Sequence, residues 1–489
     1  MKGIYGDTVG ECKEPYLLLT AKNGSYFLQH LEHPKTRYEG LYIPFEDTLM
    51  KICHRVQLAP PDSVWFDDGR PRLGYDKKNV RCMLSHDGCL LFDAREHQES
   101  VLITLDVRRI HDFADFERIY TIHNRTARRI VFRYRREGEY EFFVCCRSSV
   151  PAEPVGTWRK EHYERDARRG SEPTERYVYD ALRFRKGCRF AICGASTPED
   201  AAERAEACYR SMDDIDRTIG LYNRRTTGTH DVALDMALQG LDSLLVHKDQ
   251  QKGIYAGLPW FFQWWTRDEA ISLGAMLLNE RHETVRDIIL RQLGTVQNDG
   301  RLSNIYPAEG LGTADGTGWW AVRCTELLRA APDVMTRDQW RSIFDGLAHQ
   351  IELIEENSLR EDLIWNEPNE TWMDTGGEED ERDGACLEIQ LLHQRIHDCA
   401  AEIAKYLQLQ YEPVCRLASI RERFFNGTYL IDRIRKDMTE DPTVRPNLFL
   451  AYYLCPELLS QPEWESCFDK AIERLWLSWG GFASIDKDS

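Results

Sequence analysis

Ser196-Thr197-Pro198-Glu199-Asp200 is the point where the chain changes its grammar. A hydroxyl residue able to cap, a proline at the first helical position and acids in the first turn together open a helix. The helix is predicted to run to about Tyr222. Everything before it reads as strands and almost everything after it as helices. That switch gives the fold class: a multidomain β + α protein, with an N-terminal antiparallel β-sandwich (residues 1–195), a linker helix (196–227) and a helical domain (228–489).

Upstream, Val80-Arg81-Cys82-Met83-Leu84 and Cys89-Leu90-Leu91-Phe92 flank His86-Asp87-Gly88. An Asp-Gly pair between apolar runs signals a hairpin. Further strand candidates are residues 100–107, 118–123, 129–134, 139–145, 176–184 and 188–192. Short β-branched or aromatic runs between turn residues predict an antiparallel sandwich. The charge-rich residues 154–174 are expected to form a long surface loop.

Downstream, apolar residues recur at helical spacing. Val285, Ile289, Leu293 and Val296 form one stripe, and Trp340, Ile343, Phe344, Leu347, Ile351 and Ile354 a second. Leu392, Ile396, Cys399 and Ile403 form a third. The same periodicity gives about nine helix candidates between His230 and Trp476. Residues 299–313 and 362–383, rich in Gly, Asp, Glu and Asn, interrupt it. Loops of this length inside a compact domain are usually functional or disordered, and the tryptophans of the second argue against disorder there.

The net charge of −18 disfavours a nucleic-acid partner, which would need a basic face, but is compatible with a neutral polymer. The first residues show no apolar core of a signal peptide, and no apolar run is long enough to cross a bilayer. The 15 cysteines are scattered without a CxxC pair. Reduced, mostly buried thiols and a cytoplasmic location are therefore expected. His393 and His397 share a helical face, but no acidic or cysteine partner set is close in sequence, so no metal centre is expected.

Two constellations carry chemistry. In Leu258-Pro259-Trp260-Phe261-Phe262-Gln263-Trp264-Trp265-Thr266-Arg267-Asp268, three tryptophans are followed closely by Arg-Asp. Indole faces stack on the apolar faces of sugar rings, while a guanidinium donates and a carboxylate accepts at neighbouring hydroxyls. An aromatic core stripe beside a surface ion pair would use the same residues. The second is Trp365-Asn366-Glu367-Pro368-Asn369-Glu370-Thr371-Trp372-Met373-Asp374. Glycoside hydrolysis needs a carboxylic acid to protonate the leaving oxygen and a second carboxylate across the sugar. Asp374, two residues from Trp372, suits the acid, because an apolar neighbour disfavours the charged form; a loop carboxylate capping a turn is the plainer alternative. The acidic run Glu378-Glu379-Asp380-Glu381 reads as a solvated loop.

These segments resemble the amylo-α-1,6-glucosidase domain of glycogen debranching enzymes. Pro259-Trp260-Phe261 with Trp265-Thr266-Arg267-Asp268 resembles its PWF…WGRD, and Thr371-Trp372-Met373-Asp374 matches its TWMD. Ala314-Asp315 with Trp319 resembles ADxxxW, Leu387-Glu388-Ile389-Gln390 is similar to VEIxAL, and Arg445-Pro446-Asn447 matches RPN. Residues 477–484 look like a divergent TPxGLRSLS. Asn23-Gly24-Ser25-Tyr26 and Thr36-Arg37-Tyr38-Glu39-Gly40-Leu41 resemble NGxGGY and TRRYHGLL. The order is the family's, from about residue 16 onward.

The resemblance implies an (α/α)6 toroid behind the sandwich. It also implies inverting hydrolysis of α-1,6-linked glucose stubs of glycogen or limit dextrin, with no cofactor. It makes Asp374 the general acid, puts Trp265, Arg267 and Asp268 around the terminal glucose, and brings Trp260, Asp315, Trp319, Trp372 and Glu388 close by. Thr266 replaces the family's Gly, and Tyr38-Glu39 replaces Tyr-His. The family's usual second carboxylate lies in a HxGxVWPW-type segment beyond the GLRSLS-like stretch, and a closed ring takes twelve helices. An incomplete ring is therefore expected within these residues, with Glu388 as the stand-in base or a subsite residue. The expected partner is an α-glucan or oligosaccharide substrate. The alternatives are a glucan-binding protein without hydrolytic activity and another toroid glycosidase of different linkage.

Overall fold

The structure, a computed structural model of the chain, describes all residues except 1, 6–7, 12–14, 77, 137–138, 227–230, 308–311, 375–380 and 487–489. Its internal contacts divide it into two compact units. The first comprises Met1–Gln250 and Gly257–Phe262, the second Gln251–Ala256 and Gln263–Ser489.

Two sheets make up the first unit. One has ten strands, in the order Arg118–Arg125, Arg129–Arg136, Tyr140–Ser148, Arg189–Ala195, Leu90–Asp93, Lys78–Leu84, Arg70–Tyr75, Ser63–Asp67, Lys2–Tyr5 and Thr8–Glu11. The other has seven: Glu153–His162, Glu175–Phe184, Val101–Arg109, Thr48–Gln57, Gly40–Phe45, Tyr26–His30 and Tyr16–Thr20. Neighbours are antiparallel except Lys2–Tyr5 beside Ser63–Asp67. The inner faces share one core, in which Phe27 meets Phe92 edge-on at 6.2 Å and Phe92 stacks on Phe190 at 5.3 Å. The Asp-Gly hairpin is present: Leu90 pairs with Leu84, and Gly88 takes a φ of +79° that favours glycine.

The alternation along Tyr140–Ser148 explains why this strand reads as a continuous apolar run. Phe142, Val144 and Cys146 enter the sandwich core. Phe143 and Cys145 point the other way, into a second cluster with Ala191, Leu91 and Met83. A strand buried on both faces loses its polar alternation. The covering layer is a helix, and in chain order the first unit's helices are α1 (Glu164–Arg168), α2 (Pro198–Arg210), α3 (Met212–Thr226) and α4 (Val232–Leu244). Ala201, Ala205 and Cys208 of α2 lie in that second cluster. Thr197 caps α2, its Oγ1 accepting from Asp200 N at 3.2 Å. The segment read as a linker helix is thus two helices broken at Ser211, and α2 is packed on the sheet as a third layer.

Two other expectations are corrected. Residues 154–174 are not a loop: they hold most of the edge strand Glu153–His162 and all of α1. Edge strands carry charge on both faces, and this one is exposed along most of its length, so its composition conceals its pairing. Nor are all thiols reduced, since Cys89 and Cys193 form a disulfide between neighbouring strands. Of the other described cysteines only Cys415 is exposed. Among the described residues no helix is long and apolar enough to cross a membrane.

The second unit holds α5 (Thr266–Leu278), α6 (His282–Leu293), α7 (Gly316–Ala330), α8 (Arg337–Ser358), α9 (Leu387–Leu407), α10 (Leu417–Phe424), α11 (Asn447–Leu454) and α12 (Gln461–Leu475). With α4 these make nine α-helices between residues 232 and 475 among the described residues. α9 is buried around most of its circumference, as a central helix must be, and packs against α7, α8 and α11. α7 approaches it so closely that a Cβ on Gly318 would lie 2.4 Å from the Cβ of Leu392.

Candidate active site

The loop between α8 and α9 is closed at its base. Asn366 and Gly384 exchange backbone hydrogen bonds of 2.8 and 3.0 Å, pinching off residues 367–383 between α8 and α9. Gly384 has φ +100°, and a Cβ there would lie 2.3 Å from the Ile434 carbonyl oxygen, so the pinch requires glycine. The loop before α7 is tied to it at Glu370. Arg301 Nη1 donates to Glu370 Oε2 at 2.7 Å, and Ala314 N donates to the Glu370 carbonyl at 2.9 Å.

α5 begins where the short strand Trp264–Trp265 pairs with Ile305–Tyr306. Thr266, in the place of the family's glycine, is buried, and its Oγ1 donates to the Ser303 carbonyl at 2.5 Å. This start puts Arg267 and Asp268 in the first helical turn. Asp315 immediately precedes α7, with Thr313 Oγ1 donating to its Oδ1 at 2.5 Å. Arg267 then joins the pieces. Its Nη2 donates to Asp374 Oδ2 at 2.9 Å, and its Nη1 lies 3.3 and 3.4 Å from the Asp315 oxygens. Residues 267, 315 and 374, from three separate stretches, therefore meet at one guanidinium.

Electrostatics differ within the group. Burial pushes the Asp315 carboxyl up, opposed by Arg267. Burial also raises Asp268; Arg267 opposes the shift, and the charges of Asp315 and Asp374 add to it. Asp374 is the open member, with a side chain 34% exposed. Trp372 is half-exposed, and its Nε1 donates to Asn447 Oδ1 at 2.8 Å, which fixes the indole. Trp265, two residues before Arg267, is partly exposed.

Other predicted residues are placed differently. Trp319 is buried against Tyr453 at 6.0 Å, so its ring packs the helix core. Trp260 belongs to the first unit, where the Arg169 guanidinium lies 5.4 Å from its ring centre. Glu388 has no exposure, and both its oxygens accept from Arg382, at 2.5 and 3.0 Å. Both acceptor oxygens are thus engaged within the protein. Most of the acidic run Glu378-Glu379-Asp380-Glu381 lies outside the described residues; the Glu381 carbonyl accepts from Arg433 Nη1 at 2.5 Å.

Sequence reasoning missed Arg382 and Asp432. Arg382 donates to Thr371 Oγ1 (3.1 Å), to Glu388 and to both oxygens of Asp432 (2.9 and 3.0 Å). Asp432 Oδ1 also accepts from Asn447 Nδ2 at 2.8 Å. This lattice anchors the Thr371–Asp374 segment and gives the Arg-Pro-Asn motif its role. A second miss concerns His393 and His397, which do have an acidic partner: Glu355 of α8, with Oε1 3.3 and 3.0 Å from their Nε2 atoms.

A family model described as amylo-alpha-1,6-glucosidase matches residues 238–489. A bacterial glucoamylase, solved in complex with acarbose, is similar in structure with a TM-score of 0.60 and 12% identity, covering 97% of this chain and 82% of that one. A GH78-family rhamnosidase of Bacillus sp. GL1 aligns at a TM-score of 0.41 and 10% identity, covering 82% of this chain and 38% of that one. No curated protein matches the chain. The glucoamylase likeness shows the fold: an antiparallel sandwich followed by a helical domain of the α/α toroid type.

Proposed function

The chain belongs to the amylo-alpha-1,6-glucosidase family, and on that premise we propose that it hydrolyses α-1,6-linked glucose from the branch stubs of glycogen or limit dextrin, with inversion. The observation that carries the reading is the meeting of Asp374, Arg267 and Asp315 beside a fixed, half-exposed Trp372. In this reading Trp372 and Trp265 offer indole faces to the sugar. Arg267 and Asp268 take neighbouring hydroxyls, one donating and one accepting. Asp374 is the proton donor to the glycosidic oxygen. The ring hydroxyls give Arg267 other acceptors, which frees Asp374 for proton transfer when the pocket is filled.

The enclosure of Glu388 favours a second reading, a glucan-binding protein without turnover, because it withdraws the one base that the sequence offered. Incubation with a branched limit dextrin decides between them. Release of free glucose by the wild type, lost in Asp374→Asn, supports hydrolysis; binding without release in both supports the second reading. A panel of α-1,6, α-1,4 and α,α-1,1 glucosides tests the linkage, and cleavage only of the latter two would overturn it.

A further inference from the structure

Away from the sugar site, α8 and α9 carry a compact group of metal-ligating side chains. His393 and His397 are one helical turn apart on α9, their rings 5.0 Å apart and nearly perpendicular. Both are almost fully buried. Their Nε2 atoms lie 3.3 and 3.0 Å from one oxygen, Glu355 Oε1, and the ligand atoms of all three residues are within 4.8 Å of one another. A tetrahedral zinc centre with bonds of about 2.0–2.1 Å holds its ligand atoms about 3.3 Å apart.

The hydrogens of this group cannot all be placed well without a cation. Arg416 Nη1 lies 3.1 Å from His397 Nε2, and its Nη2 donates to Glu355 Oε1 at 2.9 Å. If His397 Nε2 carries its hydrogen, it donates to Glu355 but faces the Arg416 donor. If it does not, it accepts from Arg416 but turns a lone pair on the carboxylate. The Nδ1 atoms of both histidines are buried without a hydrogen-bond partner, so neither tautomer gains there. A divalent ion at the convergence point takes the lone pairs of Glu355 and both Nε2 atoms at once.

We propose that Glu355, His393 and His397 bind one divalent transition-metal ion, zinc by ligand class, with Arg416 withdrawn from its present place as the ion enters. Two imidazoles at i and i+4 with one carboxylate form a borderline, nitrogen-rich set that suits zinc over magnesium or calcium. The ion would clip α8 to α9, the two helices whose connection carries Trp372 and Asp374. His393 also lines a cavity with Arg301, Ala314, Gly318 and Trp365, and Glu355 is a quarter exposed, so the group is reachable.

The test is calorimetric titration of the chelator-treated full chain with Zn²⁺, with Co²⁺ absorption as a second probe. One equivalent should bind, and His397→Asn should weaken it by about 100-fold or more. Arg416→Met removes no ligand and should tighten binding by roughly 10-fold, and it decides the matter if the histidine variant fails to fold. Failure of the wild type to bind, unchanged affinity in a folded His397→Asn, or an Arg416→Met variant that binds no better would overturn the site. So would a thiolate-to-cobalt charge-transfer band, which would assign the ion to free cysteines elsewhere in the chain.

Discussion

Arg267 and Arg382 both gather carboxylates in the second unit, and the difference between the two gatherings separates the proposed site from a scaffold. Arg382 is 1% exposed, and its partners Glu388 and Asp432 are 1% and 0% exposed. Every strong donor there faces an acceptor, so the cluster can only hold. Arg267 is 13% exposed and joins the enclosed Asp315 to Asp374, which is 34% exposed. One end of that cluster is fixed and the other is open to solvent and, on the proposed function, to exchange for a substrate's hydroxyls. The same residue types, one shell of burial apart, serve different ends.

Four substitutions probe this contrast. The largest effect is expected for Asp374→Asn, which keeps the shape and removes the proton donor. Glucose release should fall by roughly 10²–10⁴-fold, with the melting temperature little changed. A variant of near-normal activity would remove Asp374 from the chemistry. Arg382→Met should do the reverse. It strands two buried carboxylates and should cost about 3–5 kcal/mol in urea unfolding. A loss below about 1 kcal/mol would mean that the lattice is not what holds the loop.

Trp372→Phe keeps an aromatic face but loses the hydrogen bond to Asn447. It should cost about 0.5–1.5 kcal/mol of stability and raise KM more than it lowers kcat. An unchanged KM would detach this ring from the sugar.

The smallest effect concerns Asp315, whose carboxyl burial raises above its unfolded value. A carboxyl raised in this way favours the folded state when protonated, so its contribution becomes more favourable as pH falls through the raised value. Asp315→Asn imitates that protonated form. It should slightly raise the melting temperature at neutral pH and flatten this part of the pH dependence, while reducing activity through the loss of a partner for Arg267. A fall in melting temperature at neutral pH would show that pairing with Arg267 outweighs burial.

Local signals in the sequence were legible because they need no distant partner. The hairpin at Asp87-Gly88 and the cap at Thr197 are written in neighbouring residues. Helical stripes such as Trp340 to Ile354 follow from spacing alone. The edge strand Glu153–His162 was not legible, because charge on both faces hides a β pattern. The third layer formed by α2 was not legible either, since an unbroken apolar run such as Phe142–Cys146 does not say what covers its second face. Within the site, the short motifs pointed to Arg267, Asp268, Asp315 and Asp374. They did not tell an exposed carboxylate from an enclosed one, because Arg382, which holds Glu388, is held in turn by Asp432, 50 residues further along the chain. Glu355 is 38 residues before His393, which is why no spacing rule links them.

The strand Tyr140–Ser148, enclosed between the sandwich interior and α2, has a consequence for how the first unit comes apart. From Phe143 to Cys146 it pairs with strands on both sides, and neither of its faces meets water. Deuterium can reach the amides of this stretch only when the layers separate, so their exchange should be among the slowest in the molecule and should report the cooperative opening of the whole unit rather than local fraying.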